Sequence, residues 1–299
     1  MNGVQTMVRL LQNAHGNRYA VGSFSARYTK LIRPIILAAI KTNSPVIVQL
    51  SEKEIIRHKV SLRAFADEFH RVVAELQPQI PLALHLDHTK TIDVIKEAIE
   101  AGFTSVMIDA SEKDFAENAA ITKTVVDFAH AKQVSVEGEL GKIGTTDMVE
   151  TDSDNVLFTD PQDALIFIRK TGVDALAISV GTSHGLYTTT QPMIKYTIIE
   201  AINRLTSTPL VLHGGSGVPS EMLSHAIEME SGGVSKVNIA TDLEQMLLKC
   251  LGKQTHMTEA ELNAMDPVRL ETARKAVQDL VEDKMVNYVR SAGRATKES

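Results

Sequence analysis

From Tyr19 to Ile239 the chain alternates short runs of β-branched and apolar residues with longer stretches whose apolar residues recur at every third and fourth position. That rhythm marks strands joined by crossover helices, and so a parallel sheet covered by helices on the outside. The strand-like runs are Tyr19 to Phe24, Val46 to Leu50, Leu82 to Asp87, Ser105 to Ile108, Ser135 to Glu139, Ala175 to Ser179, Leu210 to His213 and Val237 to Ile239. Eight is the number that closes a (β/α)8 barrel, the TIM-barrel class of α/β folds. Between the runs, Leu31 to Lys41, Leu62 to Leu76, Ile92 to Ala101 and Phe115 to Lys132 have helical period and should form the outer layer. Asp160 followed by Pro161 predicts an N-cap with proline in the first turn, and Gly172 the end of that helix. A doubly wound open sheet would alternate in the same way, but no Gly-x-Gly-x-x-Gly follows the first run. Beyond Thr241 the period is helical almost throughout, so additional C-terminal helices are expected, with Pro267 to Ala292 as one long helix or a pair.

Length and composition agree with one barrel domain spanning residues 1–299. Apolar content of 43% and charged content of 23% suit a soluble chain with a substantial core. A net charge of −6 gives no basic field for a polyanion, which argues against nucleic acid as a partner. Cys250 is the single cysteine, so no internal disulfide can form and a reducing compartment is expected. Met1 to Gln12 lacks a charged-then-apolar signal pattern, and no apolar run is long enough to cross a bilayer. No membrane association and a cytoplasmic location are the resulting expectations.

In a barrel the C-terminal strand ends and the loops after them form the active face. The third run ends His85-Leu86-Asp87-His88, the sixth leads into Gly181-Thr182-Ser183-His184-Gly185, and the seventh ends His213-Gly214-Gly215-Ser216-Gly217. Histidines from three different strand ends can converge on one ion and leave a coordination position open, the arrangement of a catalytic zinc. His88, His184 and His213 are therefore the candidate ligands. Strand alternation puts His85 on the side of Asp87 and away from His88, unless the strand has already turned. The other histidines, His15, His58, His70, His130, His225 and His256, fall away from this face, where solvation is expected. Asp109 suits a helix N-cap or a partner of a ligating histidine about equally well as a direct role. Glu137 and Glu139 share one face of the fifth strand, and for Glu137 an ion pair inside the barrel is the favoured reading. The glycines after the seventh strand, with Lys236 to Thr241 in the eighth and its exit, mark a phosphate site of exposed backbone N–H groups.

Six segments then carry a resemblance: Leu84 to His88, Ser105 to Ser111, Ser135 to Gly141, Gly181 to Tyr187, Val211 to Gly217 and Lys236 to Thr241. Together they resemble the class II fructose-bisphosphate and tagatose-bisphosphate aldolases over nearly the whole chain. The resemblance implies a barrel with catalytic Zn2+ held by His88, His184 and His213, Asp87 as acid/base on the oxygen of the departing aldehyde, and a homodimer or homotetramer. It also implies that Ser51, Gly185, Gly214, Gly215, Ser216, Asn238, Ile239, Ala240 and Thr241 hold dihydroxyacetone phosphate, the part shared by phosphorylated ketose substrates. Asp109 and Glu139 match positions of a second or displaced metal, and an additional monovalent or divalent cation belongs to the same expectation. Arg274 matches an arginine that reaches the far anionic group of a substrate in a neighbouring subunit.

Three departures bear on the substrate. Where the family's mobile loop has Gly-Gly-x-Glu-Asp, this chain reads Gly144-Thr145-Thr146-Asp147-Met148-Val149-Glu150. Asp147 aligns most simply as the proton carrier at the enediolate carbon, with Glu150 as its rival. Phe24-Ser25 stands in place of Phe-Asn, and Thr188 follows Tyr187 where a lysine is common. Besides fructose 1,6-bisphosphate, a deoxy-keto acid phosphate or a sulfonated sugar phosphate is thus an alternative substrate. A non-catalytic subunit would lack a ligand or Asp87, and a metal-dependent hydrolase would carry His-x-His on a first strand that here reads Val21-Gly22-Ser23-Phe24. A Schiff-base lysine is disfavoured because Lys236 is expected at the start of its strand, away from the active face.

Overall fold

A computed structural model describes residues 3–145, 158–185 and 192–295. Eight parallel strands close into a barrel: β1 (Val21–Ser25), β2 (Val46–Ser51), β3 (Leu82–Thr89), β4 (Ser105–Ile108), β5 (Ser135–Leu140), β6 (Ala175–Ile178), β7 (Leu210–Leu212) and β8 (Val234–Ile239). Each pairs with its neighbours in chain order, and β8 returns to β1. The expected strands are all present. The largest difference is at β8, which begins three residues earlier than the apolar run because it includes Ser235 and Lys236, both fully buried. Their polarity hides the strand from an apolar-run reading.

The two ends of the barrel are filled differently. At the strand starts, Met7, Leu10, Leu11 and Ala14 of an N-terminal helix, Met7–Asn17, pack on Val21, Ile47, Ala83, Met107, Ala175, Ala177 and Val211. The backbone N–H of Met7 donates to Ser135 Oγ at 3.1 Å. This apolar plug, absent from the sequence expectations, excludes water from the lower interior. Polar side chains are left to the opposite end. The outer helices bury their apolar stripes on the strands, and their ends follow the capping rules: Asp160 Oδ1 accepts from the N–H groups of Gln162 and Asp163, while Gly172 closes Pro161–Thr171 in the left-handed region at φ 74°. At the C-terminus, Pro267–Asp283 passes into a π-helical turn, Lys284–Tyr288. Among the described residues no helix is long and apolar enough to cross a membrane.

One expected solvated histidine is not solvated. His58, at the end of the short helix Glu52–His58, is 0% exposed. It lies edge-on to Tyr28, and its Nδ1 is 2.8 Å from Met257 O. Tyr28 Oη also meets both the N–H and the carbonyl of Met257, so the two rings clamp the segment that follows Thr241–Leu251. Nearby Arg27 bridges the carboxylates of Glu54 and Glu244. Burial is the main cause that lowers the His58 pKa from 6.5 to about 4. The folded state therefore holds His58 neutral, while the unfolded chain binds a proton as pH falls below 6.5. This contribution to stability is complete above pH 6.5 and is lost as pH falls towards 4. The expected slope from this group is at most about 1.4 kcal/mol per pH unit. Denaturant midpoints at several pH values in this window should show a shallower acid loss for His58→Asn than for wild type; equal slopes would assign the acid sensitivity elsewhere.

Candidate metal and active site

The upper end of β3 sets the geometry of the site. Gln49 lies in register with His85, and Ser51 with Asp87, so alternation directs His85 and Asp87 into the barrel. Between Leu86 and Thr89 the pairing with β4 slips, and His88 takes a left-handed backbone at φ 36°. Such a bulge re-aims a side chain. The strand has indeed turned, and the consecutive residues Asp87 and His88 both serve the mouth of the barrel. His184 arrives from Ser183–His184, which pairs parallel with Gly144–Thr145 above the barrel. His213 directly follows β7.

These three rings meet nitrogen to nitrogen. His88 Nε2 is 3.0 Å from His184 Nε2 and 2.6 Å from His213 Nδ1. Tetrahedral zinc with Zn–N bonds of about 2.0–2.1 Å needs N···N edges of about 3.3 Å, so an opening of less than about 1 Å would admit the ion. The outward nitrogens are held by carboxylates: His88 Nδ1 is 3.1 Å from Asp109 Oδ2, and His213 Nε2 is 2.9 Å from Glu137 Oε1. Carboxylates on the outer nitrogens turn the inner lone pairs towards a common point. The donor set fits a metal. Of the two readings open for Asp109, the contact with His88 matches the partner role.

The charges around the cluster are strongly coupled. Burial, the largest influence on His88, disfavours its charge, but Asp87, Asp109 and Glu139 outweigh it and raise the pKa to about 10. A cation entering the cluster thus replaces a proton. Burial alone would raise Asp87, yet His88, His85 and Lys236 hold it well below the usual carboxylate range. Glu139 moves the other way: burial first, and then Asp109, push it well above its ordinary value. Its Oε2 lies 3.8 Å from His88 Nδ1, which makes His88, Asp109 and Glu139 a second grouping able to hold a cation.

Asp87 is held by amides. Gln49 Nε2 donates to its Oδ2 at 3.0 Å, and Asn238 Nδ2 reaches Oδ1 at 3.1 Å and Oδ2 at 3.2 Å. Ser23 and Ser25 orient Gln49 in turn. Gln49 was absent from the sequence-derived candidates, although an amide inside the apolar run Val46 to Leu50 is itself a signal. Asn238, expected at the phosphate, contacts Asp87 in this structure.

The glycine-rich exit of β7 and the exit of β8 do come together. A Cβ on Gly214 would strike the carbonyl of Ser183, and one on Gly215 would strike Val237 and the carbonyl of Asn238. Ser216 Oγ accepts from Ala240 N–H at 3.2 Å and Asp242 N–H at 3.4 Å, joining the loop after β7 to the start of Thr241–Leu251. Gly185, at φ 97°, follows the His184 ligand candidate, and Ile239 is the last residue of β8. Ser51 Oγ is occupied by the Glu54 N–H in a capping box. Arg274 is not brought to the cluster; it donates to Lys30 O and pairs with Glu271. Asp147, Glu150, Tyr187 and Thr188 lie outside the described residues.

The chain is similar to known proteins over nearly its whole length. The family model described as fructose-bisphosphate aldolase class-II matches residues 5–294. A fructose-bisphosphate aldolase of Staphylococcus aureus is 36% identical over 286 residues, covering 95% of this chain and 96% of its own. One from Geobacillus stearothermophilus is 35% identical over 295 residues, covering 98% and 99% respectively. The crystal structure of the YdjI aldolase of Escherichia coli K12 superposes with a TM-score of 0.82 at 29% identity, covering 98% of this chain and 100% of that one. Equilibrium dialysis of the purified chain against zinc is expected to find one tightly held ion, and the His184→Ala variant is expected to lose it. Full retention by that variant would remove His184 from the ligand set.

Proposed function

Since the chain belongs to the class II fructose-bisphosphate aldolase family, a group of metal-dependent lyases, we propose that it uses zinc on His88, His184 and His213 to cleave a phosphorylated ketose reversibly into dihydroxyacetone phosphate and an aldehyde. The observation that carries this reading is the meeting of three imidazole nitrogens beside a buried, amide-held carboxylate. Zinc at that point supplies Lewis acidity for the negative charge that develops at the ketone oxygen.

The chain's own residues supply the remaining chemistry. Asp87, kept ionised by its surroundings, accepts the proton of the substrate hydroxyl as the carbon–carbon bond breaks, and the bonding electron pair stays with the dihydroxyacetone phosphate half. In condensation Asp87 returns that proton to the aldehyde oxygen. Gln49 and Asn238 donate to both Asp87 oxygens and restrict the rotation of the carboxylate. The turn Gly214 to Ser216 and the helix start at Ala240 to Thr241, with Gly185 across the mouth, are assigned to the phosphate; the N–H groups of Gly215 and Ala240 hold this frame together by donating to Asn238 O and Ser216 Oγ. Clamping there positions the ketone for reaction. Asp147 is the proposed proton carrier at the enediolate carbon, with Glu150 as its rival. A fructose or tagatose bisphosphate is the leading substrate reading. Arg274 is assigned to a neighbouring subunit's substrate in a homodimer or homotetramer, and Asp109 with Glu139 to a second or displaced cation. The soluble cytoplasm is the proposed setting.

A screen of ketose phosphates for enzymatic release of dihydroxyacetone phosphate tests the reaction: activity should disappear with chelator and return with zinc, and chelator-resistant turnover would contradict the proposal. Asp87→Ala should lower kcat by about 10²–10⁴-fold while zinc content stays unchanged. Gln49→Leu, which removes one hydrogen bond to a charged group, should cost roughly 10–100-fold in kcat; wild-type kcat in either variant would cancel the corresponding role.

A further inference from the structure

Lys236 was expected away from the active face, yet its side chain is fully buried inside the barrel directly beneath the histidine cluster. Its Nζ lies 2.7 Å from Glu137 Oε2 and 3.8 Å from Asp87 Oδ1. His85, Asp87 and Glu137 form one of the groupings able to hold a cation, and the ammonium of Lys236 already serves it. The other oxygen of Glu137 accepts from His213 Nε2 at 2.9 Å. A continuous path of contacts therefore runs from Lys236 through Glu137 to the ring whose Nδ1 faces the cluster.

We propose that Lys236 is a positioning residue for the metal site, acting through Glu137 to fix the orientation and tautomer of His213. The reading rests on the proposed role of His213 as a ligand.

The geometry leaves Glu137 little alternative support. His85 places its Nε2 3.6 Å from both Glu137 and Asp87, beyond good hydrogen-bond length, and its Nδ1 is already 2.8 Å from Ser105 Oγ. All four groups are at most 3% exposed, so water does not screen the exchange of charge. Without Lys236, Glu137 Oε2 would lose the contact that fixes the carboxylate, which would then be free to turn away from His213. That turn removes the acceptor that holds the proton on His213 Nε2 and keeps Nδ1 available to a metal. β8 supplies the rigidity: Lys236 pairs in register with Val211 of β7, two residues before His213, and with Val21 of β1.

The test measures the zinc dissociation constant by competition with a chromophoric chelator, alongside the thermal midpoint of the metal-free protein. Lys236→Met and Glu137→Leu should each weaken zinc binding by about 10–100-fold. In the double variant, Lys236→Met should add less than about twofold to the loss caused by Glu137→Leu, because the lysine acts through that carboxylate. The double variant has no unpaired charge of this pair, so it also keeps the test available if Lys236→Met alone does not fold. Unchanged zinc affinity with a lowered thermal midpoint would make Lys236 a packing residue and overturn the inference, as would losses that multiply in the double variant. Failure of the wild type to bind zinc would instead overturn the reading of the three histidines.

Discussion

The mouth of the barrel depends on one local departure from regular strand geometry, the left-handed bulge at His88. A regular strand would place Asp87 and His88 on opposite faces, one towards the interior and the other into the helical layer. The bulge brings both to one point, where His88 meets His184 and His213 and Asp87 meets Gln49 and Asn238. A left-handed backbone is costly for histidine, as for any residue with a Cβ. Here the contacts of the ring with Asp109 and the other two imidazoles determine where it stays.

The barrel separates its packing from its chemistry along its axis. The lower interior is an apolar plug supplied partly by the N-terminal helix, and the upper interior contains Asp87, Glu137, His85 and Lys236 at almost no exposure. Buried charges of this kind are tolerated only with close partners, so each restricts the conformations of the next. Lys236 lies where the two regimes meet. Its ammonium offsets a carboxylate that contacts one candidate ligand, and in the proposed arrangement it therefore influences zinc through an intermediary.

Much of the fold was legible because barrel strands are short apolar runs between amphipathic helices, and Leu62–Leu76 and Ile92–Ala101 fall where their period predicts. The elements that escaped have physical reasons. Near its start β8 carries Ser235 and Lys236, of which Lys236 meets its charge partners only through tertiary contacts with Glu137 and Asp87, and the helix Met7–Asn17 gains its burial from the barrel floor, which local sequence does not describe. His58 reads as solvated in isolation and is buried because Tyr28 and Met257 close over it. At the site, the convergence of His88, His184 and His213 followed from their positions at strand ends. The dual orientation of Asp87 and His88, the amide support from Gln49 and the inward course of Lys236 were not legible, because each depends on register between strands distant in sequence.

The central claim, one ion shared by the three imidazoles, is tested most directly by anomalous diffraction from crystals of the zinc-loaded protein at energies on either side of the zinc absorption edge. The account predicts a single strong peak about 2.0–2.1 Å from His88 Nε2, His213 Nδ1 and a nitrogen of His184. A zinc peak elsewhere, with the three rings still crowded together and metal-free, would contradict it.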